Sequence, residues 1–166
     1  MLPLYVTSGE PAGIGPDICL SLAERIDERP IVILADLELL KQRADQLGMN
    51  VELIPYQGQQ KSSVSGQLFV EHVPLAYSVA LGQLDSANAA YVLEQLRRSA
   101  DYAMSGQSVG VATAPVQKSI INEAGIAFSG HTEYYQEFAG IDRVVMMLAT
   151  KSLRVALVTT HLPLRD

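Results

Sequence analysis

The chain has 166 residues, and its 12 Lys and Arg against 18 Asp and Glu give a formal net charge of −6. Hydrophobic residues make up 48% of the chain, which is enough to bury a core and excludes a disordered polypeptide. A broad nucleic-acid or anionic-lipid surface would need clustered Lys and Arg, so the acidic balance argues against both.

Cysteine content and the first residues indicate the compartment. The single cysteine, Cys19, excludes an intramolecular disulfide and a cysteine-based zinc or iron–sulfur site, and its helical surroundings predict a buried packing residue. The chain start lacks the basic region of a signal peptide. The longest apolar run, residues 144–149, is too short to span a membrane. These features predict a cytoplasmic protein.

The first half of the chain alternates between strand and helix patterns. Strands are predicted at residues 4–7, 31–34, 51–54 and 68–73, and helices at residues 17–28 and 37–47, with a polar loop at 61–66. In the first helix Ile18, Leu22 and Ile26 share one face. Asp36 and Gly48 are the expected start and stop signals of the second helix.

The second half continues this alternation. Helices are predicted at residues 85–104, 118–123 and 132–138, and strands at 109–113, 144–149 and 153–159, with a tight turn at 150–152. The pattern indicates an α/β layered fold with a mixed, mostly parallel sheet. Pro163 stands where a further helix would begin, so the chain is expected to be the front part of a longer protein.

A glycine-rich segment, residues 7–17, leaves the first strand and opens the first helix. Glycines allow close backbone approach, and a helix start favours an anion, so Gly9, Glu10, Gly13 and Gly15 are candidate ligand contacts. The dinucleotide fingerprint is incomplete because Ile18 replaces its third glycine, and no P-loop Lys follows. The pattern alone leaves open a ligand loop or a tight strand–helix turn.

Three further segments could carry chemistry. Lys118, at a predicted helix start, could pair with a phosphate or a reacting hydroxyl, or could be a solvated lysine. His131 and Thr132 could bind a phosphate or carboxylate, or Thr132 could simply cap the helix. His161 follows a strand, where a neutral imidazole could bind a divalent metal. His72 lies in a strand pattern and is predicted to be structural or on the surface.

Five segments together resemble one family. They are Ser8-Gly-Glu-Pro-Ala-Gly-Ile-Gly-Pro-Asp17, Thr113-Ala-Pro-Val-Gln-Lys118, Gly130-His-Thr-Glu133, Val145-Met-Met-Leu148 and Val158-Thr-Thr-His-Leu-Pro-Leu164. Their order and spacing resemble the N-terminal half of the 4-hydroxythreonine-4-phosphate dehydrogenase (PdxA) family. The resemblance implies two α/β/α domains, similar to those of isocitrate and isopropylmalate dehydrogenases, with the active site between them.

The resemblance also implies a reaction. The family oxidises 4-phosphooxy-L-threonine with NAD(P) to 2-amino-3-oxo-4-phosphooxybutanoate, which loses CO2 to give 3-amino-2-oxopropyl phosphate in pyridoxal phosphate (vitamin B6) biosynthesis. It is a homodimer that uses a divalent metal, with zinc, magnesium and cobalt all suited to histidine and substrate oxygens. A metal that binds the substrate hydroxyl would stabilise the alkoxide as hydride leaves.

Three residues of this chain match the family's site. The resemblance implies that His131 and Thr132 bind substrate and that His161 is one of three metal-binding histidines. The family's other metal and substrate ligands would lie beyond residue 166, so the isolated chain is expected to lack dehydrogenase activity. By the same analogy, residues 1–105 would belong to the first α/β domain and residues 106–166 would begin the second.

Other functions compatible with these residues are a sister dehydrogenase acting on phosphoerythronate or phosphothreonate, and a non-catalytic module that binds a phosphorylated ligand. The binding module predicts that ligand binding needs neither metal nor nicotinamide. A metal-dependent hydrolase that uses His131 and His161 is disfavoured, because no compact cluster of ligands surrounds either residue in the sequence.

Overall fold

Five parallel strands form the central sheet in a computed structural model, which describes residues 1–25, 29–58, 64–159, 163 and 165. The strands are β1 (Leu4–Thr7), β2 (Ile31–Ala35), β3 (Glu52–Pro55), β4 (Gln67–His72) and β5 (Gly110–Thr113). Their order across the sheet is β3-β4-β2-β1-β5, and every neighbouring pair is parallel. The sheet belongs to the first of two compact units, Met1–Phe128.

Helices cover both faces of this sheet. They are α1 (Gly15–Ser21), α2 (Leu37–Leu47), α3 (Ala89–Met104) and α4 (Lys118–Glu123), with 3₁₀ turns at Leu22–Glu24 and Ser86–Asn88. Val6 of β1 packs with Leu20 of α1 and Leu40 of α2 in the core. Its neighbour Tyr5 points to the opposite face, where its ring stacks on Tyr102 of α3. The α/β/α layering of this unit is therefore confirmed.

Local signals explain why α2 has its observed bounds. Asp36 precedes the helix in extended conformation, and its carboxylate accepts a hydrogen bond from the Leu39 N–H at 3.0 Å. Gly48 ends the helix in the left-handed conformation, with φ of 65°. All five residues of β2 are buried, which confirms the prediction of a strand that is covered on both faces.

The first helix differs from its prediction. Helix α1 ends at Ser21, whose hydroxyl donates to the Ile18 carbonyl at 2.7 Å, and the chain continues as a 3₁₀ turn. The predicted apolar face is wrong at Ile18, which is 46% exposed, whereas Leu22 of the same face is partly buried against the core and Cys19 and Ala23 are buried. Ile26 and residues 27–28 of that prediction lie outside the described residues. The prediction that Cys19 is a buried packing residue is confirmed.

The second unit, Ser129–Asp166, contains α5 (His131–Ala139), β6 (Met147–Ala149) and β7 (Arg154–Ala156). Strands β6 and β7 pair antiparallel, and the Thr150 N–H donates to the Leu153 carbonyl in the predicted turn. Both strands are shorter than predicted, because each has one pairing partner among the described residues and the ladder covers three residue pairs.

The remaining sequence predictions concern the bounds of the other helices and strands, the domain boundary and membrane-spanning segments. The remaining helices and strands of the first unit lie within a few residues of their predicted bounds, although residues 61–63 of the polar loop are outside the described part. The boundary at residues 105 and 106 refers to complete domains and stays a prediction. None of the described helices is long and apolar enough to cross a membrane.

Candidate functional site

The candidate site begins at the carboxyl ends of β1 and β5. The chain runs from β1 to β2 on one side of β1, whereas β5 returns to its other side. Such a reversal of strand order creates a crevice beyond the carboxyl ends of the two strands, where ligands of open α/β sheets usually bind. The glycine-rich loop after β1 and the loop after β5, residues 114–117, meet at this position.

Two glycines of the first loop allow close backbone packing. A Cβ atom on Gly9 would lie 2.3 Å from the Pro115 carbonyl oxygen, and φ of Gly9 is +71°. A Cβ atom on Gly15 would lie 1.9 Å from the Ser8 carbonyl oxygen. The Glu10 N–H donates to the Pro115 carbonyl at 3.0 Å and joins the two loops. The tight strand–helix turn therefore accounts for Gly9 and Gly15, and ligand contact by this loop stays a prediction.

Two buried polar residues of α3 hold the start of the loop. Gln95 accepts hydrogen bonds from the Gly9 N–H at 2.9 Å and from the Ser8 hydroxyl at 3.1 Å, and its amide donates to the Gly9 carbonyl. The Tyr91 hydroxyl lies 3.2 Å from the Ser8 hydroxyl and accepts from the Asp36 N–H. These contacts connect the ends of β1 and β2 through one helix.

The far end of the loop is held from α2. Arg43 is 6% exposed and donates to both carboxylate oxygens of Asp17, at 2.7 and 2.6 Å, and to the Gly13 carbonyl at 2.8 Å. A bidentate guanidinium–carboxylate pair combines charge with fixed geometry. The Ala12 carbonyl also accepts from the Gly82 N–H. The loop is thus held by hydrogen bonds at its start, at Ala12 and Gly13, and at Asp17.

Glu10 is the buried acid of this loop. Its side chain is 5% exposed, and its carboxylate accepts from the Ala12 N–H at 3.1 Å. Burial raises the pKa of Glu10, the Ala12 hydrogen bond lowers it in part, and the charge of Asp85 raises it further. The carboxylate of Glu10 is therefore less stable in the folded protein than in water.

The first prediction concerns the pH dependence of stability at Glu10. A raised pKa means that the folded state binds more protons than the unfolded state. The ionised residue therefore destabilises the fold as pH rises above 4.5, which is the ordinary pKa of a glutamate. We expect Glu10→Gln to raise the free energy of unfolding at neutral pH, and the gain to shrink toward pH 4.5. Urea denaturation of both proteins across this pH range measures the difference.

Glu94 provides a control of opposite sign. Hydrogen bonds from Arg97, and then from Arg98, lower the pKa of Glu94 to about 2. The stability from these hydrogen bonds is present above pH 4.5 and is lost as pH falls toward 2. Glu94→Gln should therefore lower stability at neutral pH and lose that effect in acid. If both variants changed the free energy of unfolding at neutral pH in the same direction, the raised pKa of Glu10 would be contradicted.

Lys118 is the first residue of α4, and its side chain is exposed. The structure places it three residues after Pro115, which contacts the first loop. Helix α4 has only six residues, so it offers little dipole of its own. Pairing of Lys118 with a phosphate or hydroxyl stays a prediction beside the solvated alternative.

His131 and Thr132 begin α5 in the second unit. Gly130 precedes them in extended conformation, and its carbonyl accepts from the Tyr134 N–H at 3.1 Å to start the helix. Both side chains are half-buried, and the Nε2 atom of His131 is inaccessible to solvent. The alternative in which Thr132 caps the helix is wrong, because Gly130 is the N-cap and the helix begins at His131, one residue earlier than predicted.

The other two histidines have different outcomes. The Nδ1 atom of His72 accepts the Leu37 N–H at 3.2 Å at the start of α2, which confirms the structural prediction. His161 lies outside the described residues, so its metal role stays a prediction. Within the part of the chain that is described, no group of three His, Cys, Asp or Glu residues could hold a metal ion.

The sequence reasoning missed Tyr91 and Gln95. They occupy positions i and i+4 of α3, beside the buried stripe of Val92 and Leu96. The sequence did offer a signal for both residues, because helical spacing places these polar side chains next to the core. The same signal was available for Arg43, which lies between Leu40 and Ala44 on the buried side of α2.

Sequence comparison relates this chain to a protein family and to individual relatives. Residues 27–166 match the family described as pyridoxal phosphate biosynthetic protein PdxA. The chain is 53% identical to a 4-hydroxythreonine-4-phosphate dehydrogenase of Stutzerimonas stutzeri over 167 residues, which cover 99% of this chain and 51% of the relative. The enzyme of the same name from Pseudomonas putida is 54% identical, with the same coverage. The chain spans about half the length of these curated relatives.

Solved structures give the same result. The crystal structure of 4-hydroxythreonine-4-phosphate dehydrogenase from Klebsiella pneumoniae superposes with a TM-score of 0.88 at 30% identity, covering 99% of this chain and 53% of that one. A terephthalate 1,2-cis-dihydrodiol dehydrogenase from Burkholderia xenovorans shares the fold alone, with a TM-score of 0.71 at 22% identity. The chain belongs to the PdxA family of pyridoxal phosphate biosynthetic proteins.

Proposed function

We propose that the chain contributes part of the active site of an NAD(P)-dependent 4-hydroxythreonine-4-phosphate dehydrogenase. The observation that carries the proposal is the identity of 53% with relatives of that name along 99% of the chain. The reaction would transfer a hydride from the secondary alcohol of 4-phosphooxy-L-threonine to the nicotinamide and release the hydroxyl proton. Loss of CO2 from the resulting β-keto acid would follow. Its place would be vitamin B6 biosynthesis in the cytoplasm, and the whole protein would be a homodimer.

The start of α5 supports a role in substrate binding. A helix start leaves its first N–H groups without partners inside the helix, and this end of the dipole favours a negative charge. His131 and Thr132 are the first two residues of the helix. We therefore assign the substrate phosphate or carboxylate to Gly130, His131 and Thr132, where the side chains would add hydrogen bonds and fix the orientation.

The cofactor and the metal require residues besides those of the first loop. A nicotinamide accepts the hydride when bound, but Gly9 and Gly15 do not fit its pyrophosphate, because both already pack against backbone carbonyls. The described residues do not fit zinc, magnesium or cobalt either, since they form no group of three ligands. We propose no step through either group, and His161 stays the one predicted metal ligand of this chain.

The second prediction tests this function on a chimera of the chain and the second half of the Stutzerimonas stutzeri relative. Reduced nicotinamide would be followed by its absorbance with 4-phosphooxy-L-threonine, NAD or NADP, and a divalent metal. We expect turnover by the chimera and none by the 166-residue chain alone. His131→Ala should reduce kcat/KM by about 100-fold, because one charge-assisted contact to the substrate is lost.

The three histidines provide matched variants. His161→Ala should abolish turnover if that residue binds the metal, whereas His72→Ala should keep it, because the His72 imidazole accepts the Leu37 N–H at the start of α2. Turnover by the isolated chain would refute its expected inactivity. Faster turnover of phosphoerythronate or phosphothreonate would assign a sister substrate, and ligand binding without metal, nicotinamide or turnover would indicate the binding module.

A further inference from the structure

The one histidine of the first unit joins the end of β4 to the start of α2. His72 is the last residue of β4, and its Nδ1 atom accepts a hydrogen bond from the Leu37 N–H at 3.2 Å. A ring nitrogen that accepts a hydrogen bond carries no proton, so the neutral imidazole holds its proton on Nε2. The side chain is 45% exposed, so water can deliver a second proton to Nδ1.

A second proton on the ring breaks this contact. The Nδ1–H and the Leu37 N–H would face each other across 3.2 Å, and neither could accept from the other. The Oδ2 atom of Asp36 lies 3.9 Å from Nδ1 and offers a carboxylate acceptor to the new N–H. Because a charge-assisted N–H···O bond is about 2.7–2.9 Å long, the ring and the carboxylate must approach each other by about 1 Å.

The same carboxylate oxygen already holds the segment that follows β4. Oδ2 of Asp36 accepts from the Leu75 N–H at 3.0 Å, while Oδ1 accepts from the Leu39 N–H and caps α2. An imidazolium attracts a carboxylate by its charge as well as by hydrogen bonding, whereas the Leu75 N–H is a neutral donor. The protonated ring would therefore compete with Leu75 for Oδ2.

That segment is a strap, residues 74–84, which connects β4 to the 3₁₀ turn before α3. Among the described residues, two hydrogen bonds join the strap to the rest of the first unit, one near each end. The Leu75 N–H donates to Asp36, and the Gly82 N–H donates to the Ala12 carbonyl at 2.9 Å. The first half of the strap, the start of α2 and His72 border a cavity of about 540 Å³. Release of Leu75 would widen this cavity and leave the strap attached through Gly82.

Other charged groups around His72 do not favour a different partner for the ring. On α2, α3 and β4 they are Asp36, Glu38, Lys41, Glu71, Glu94 and Arg98. All of them except Asp36 form ion pairs with one another. β2 and the strap contain no charged residue, and Tyr77 of the strap lines the cavity. Asp36 is the acid that contacts the imidazole, so its charge should determine where the protonated ring moves.

We propose that protonation of His72 releases the first half of the strap. In the neutral state the ring accepts from Leu37, and Oδ2 of Asp36 is left to Leu75. In the protonated state the ring donates to Oδ2 and displaces the Leu75 N–H. Proton uptake at the end of β4 would thereby control the cavity and a segment that is bonded to the glycine-rich loop. The inference does not require the proposed reaction, and the test below measures structure rather than turnover.

The test is an NMR titration of the isotope-labelled 166-residue chain from about pH 8 to about pH 5, the range in which histidines change charge. The Leu37 and Leu75 amide signals should move with the same midpoint as the His72 ring signals. The hydrogen-exchange protection factor of the Leu75 amide should fall at least about tenfold at the acid end. A protection factor is used because the exchange rate of an unprotected amide itself depends on pH.

His72→Asn is the matched control. An asparagine Oδ1 atom can reach about the position of the imidazole Nδ1 and accept from Leu37, but it takes up no proton in this range. The Leu75 amide should then be equally protected at both ends of the titration. Glu10→Gln is the second control, because burial raises the pKa of Glu10 and its carboxylate accepts from Ala12 beside the other attachment. This variant should keep the Leu75 response.

Three results would overturn the inference. A Leu75 response that persists in His72→Asn, or one that disappears in Glu10→Gln, would mean that another group releases the strap. In the unchanged chain, a Leu75 amide that stays protected throughout the titration would also overturn it, whether or not the ring gains a proton. This last result needs no variant, so the test remains decisive if His72→Asn does not fold.

Discussion

Replacing Gly9 by alanine should lower the free energy of unfolding by about 2–5 kcal/mol, from left-handed strain and overpacking together. The new Cβ atom would meet the Pro115 carbonyl oxygen at 2.3 Å, in a residue whose φ is +71°. The obstacle is backbone rather than a flexible side chain, so it cannot rotate away. Urea denaturation followed by circular dichroism would measure the loss.

Three other glycines separate the two causes of this loss. Gly48 has φ of +65° and no heavy atom within 4 Å of a new Cβ, so Gly48→Ala should cost only the strain, about 1–2 kcal/mol. Gly15 would meet the Ser8 carbonyl at 1.9 Å, so Gly15→Ala tests packing without positive φ and should cost at least about 2 kcal/mol.

Gly13→Ala is the matched control within the same loop. Its nearest contact would be 3.4 Å from the Glu10 carbonyl oxygen, which is ordinary van der Waals distance, so we expect a change within about 0.5 kcal/mol. If all four variants lost similar stability, close packing could not explain the glycines at positions 9 and 15.

The predictability of the fold follows from how local each signal is. Asp36 and Gly48 bound α2 through contacts within a few residues, so the sequence alone predicts that helix correctly. The face of α1 depends on which side chains meet the distant strands, and Ile18 proved exposed although its spacing suits a buried stripe. Strand lengths in the β6–β7 hairpin depend on neighbouring strands, which no local pattern describes.

The candidate site shows the same division. The glycines of the first loop and, in the second unit, the first residues of α5 each stand in recognisable segments, and the resemblance to a family implied a substrate role for His131 and Thr132. The side chains that hold the first loop could not be predicted in this way. Gln95 lies 86 residues from Gly9 along the chain, and Arg43 lies 30 residues from Gly13. In both pairs the partner is a backbone group, and no sequence pattern identifies such a group as a hydrogen-bond partner.

Gln95 should be the polar side chain of α3 whose loss is most costly. It is fully buried, and its amide satisfies both the N–H and the carbonyl of Gly9 as well as the Ser8 hydroxyl. Gln95→Leu keeps the volume but leaves the backbone groups of Gly9 without a partner in the core. Because each such group costs about 1–3 kcal/mol, we expect a loss of about 2–5 kcal/mol. Urea denaturation measures it.

Gln46→Leu is the control, since Gln46 is exposed on α2 and the same change there should alter stability by no more than about 0.5 kcal/mol. Gln95→Glu separates hydrogen bonding from packing. Its ionised carboxylate can accept from the Gly9 N–H but cannot donate to the Gly9 carbonyl, whereas its protonated form can do both. The loss in Gln95→Glu should therefore diminish as pH falls. A loss that is independent of pH, together with equal effects of the two leucine variants, would mean that Arg43 and the Pro115 carbonyl hold the loop without α3.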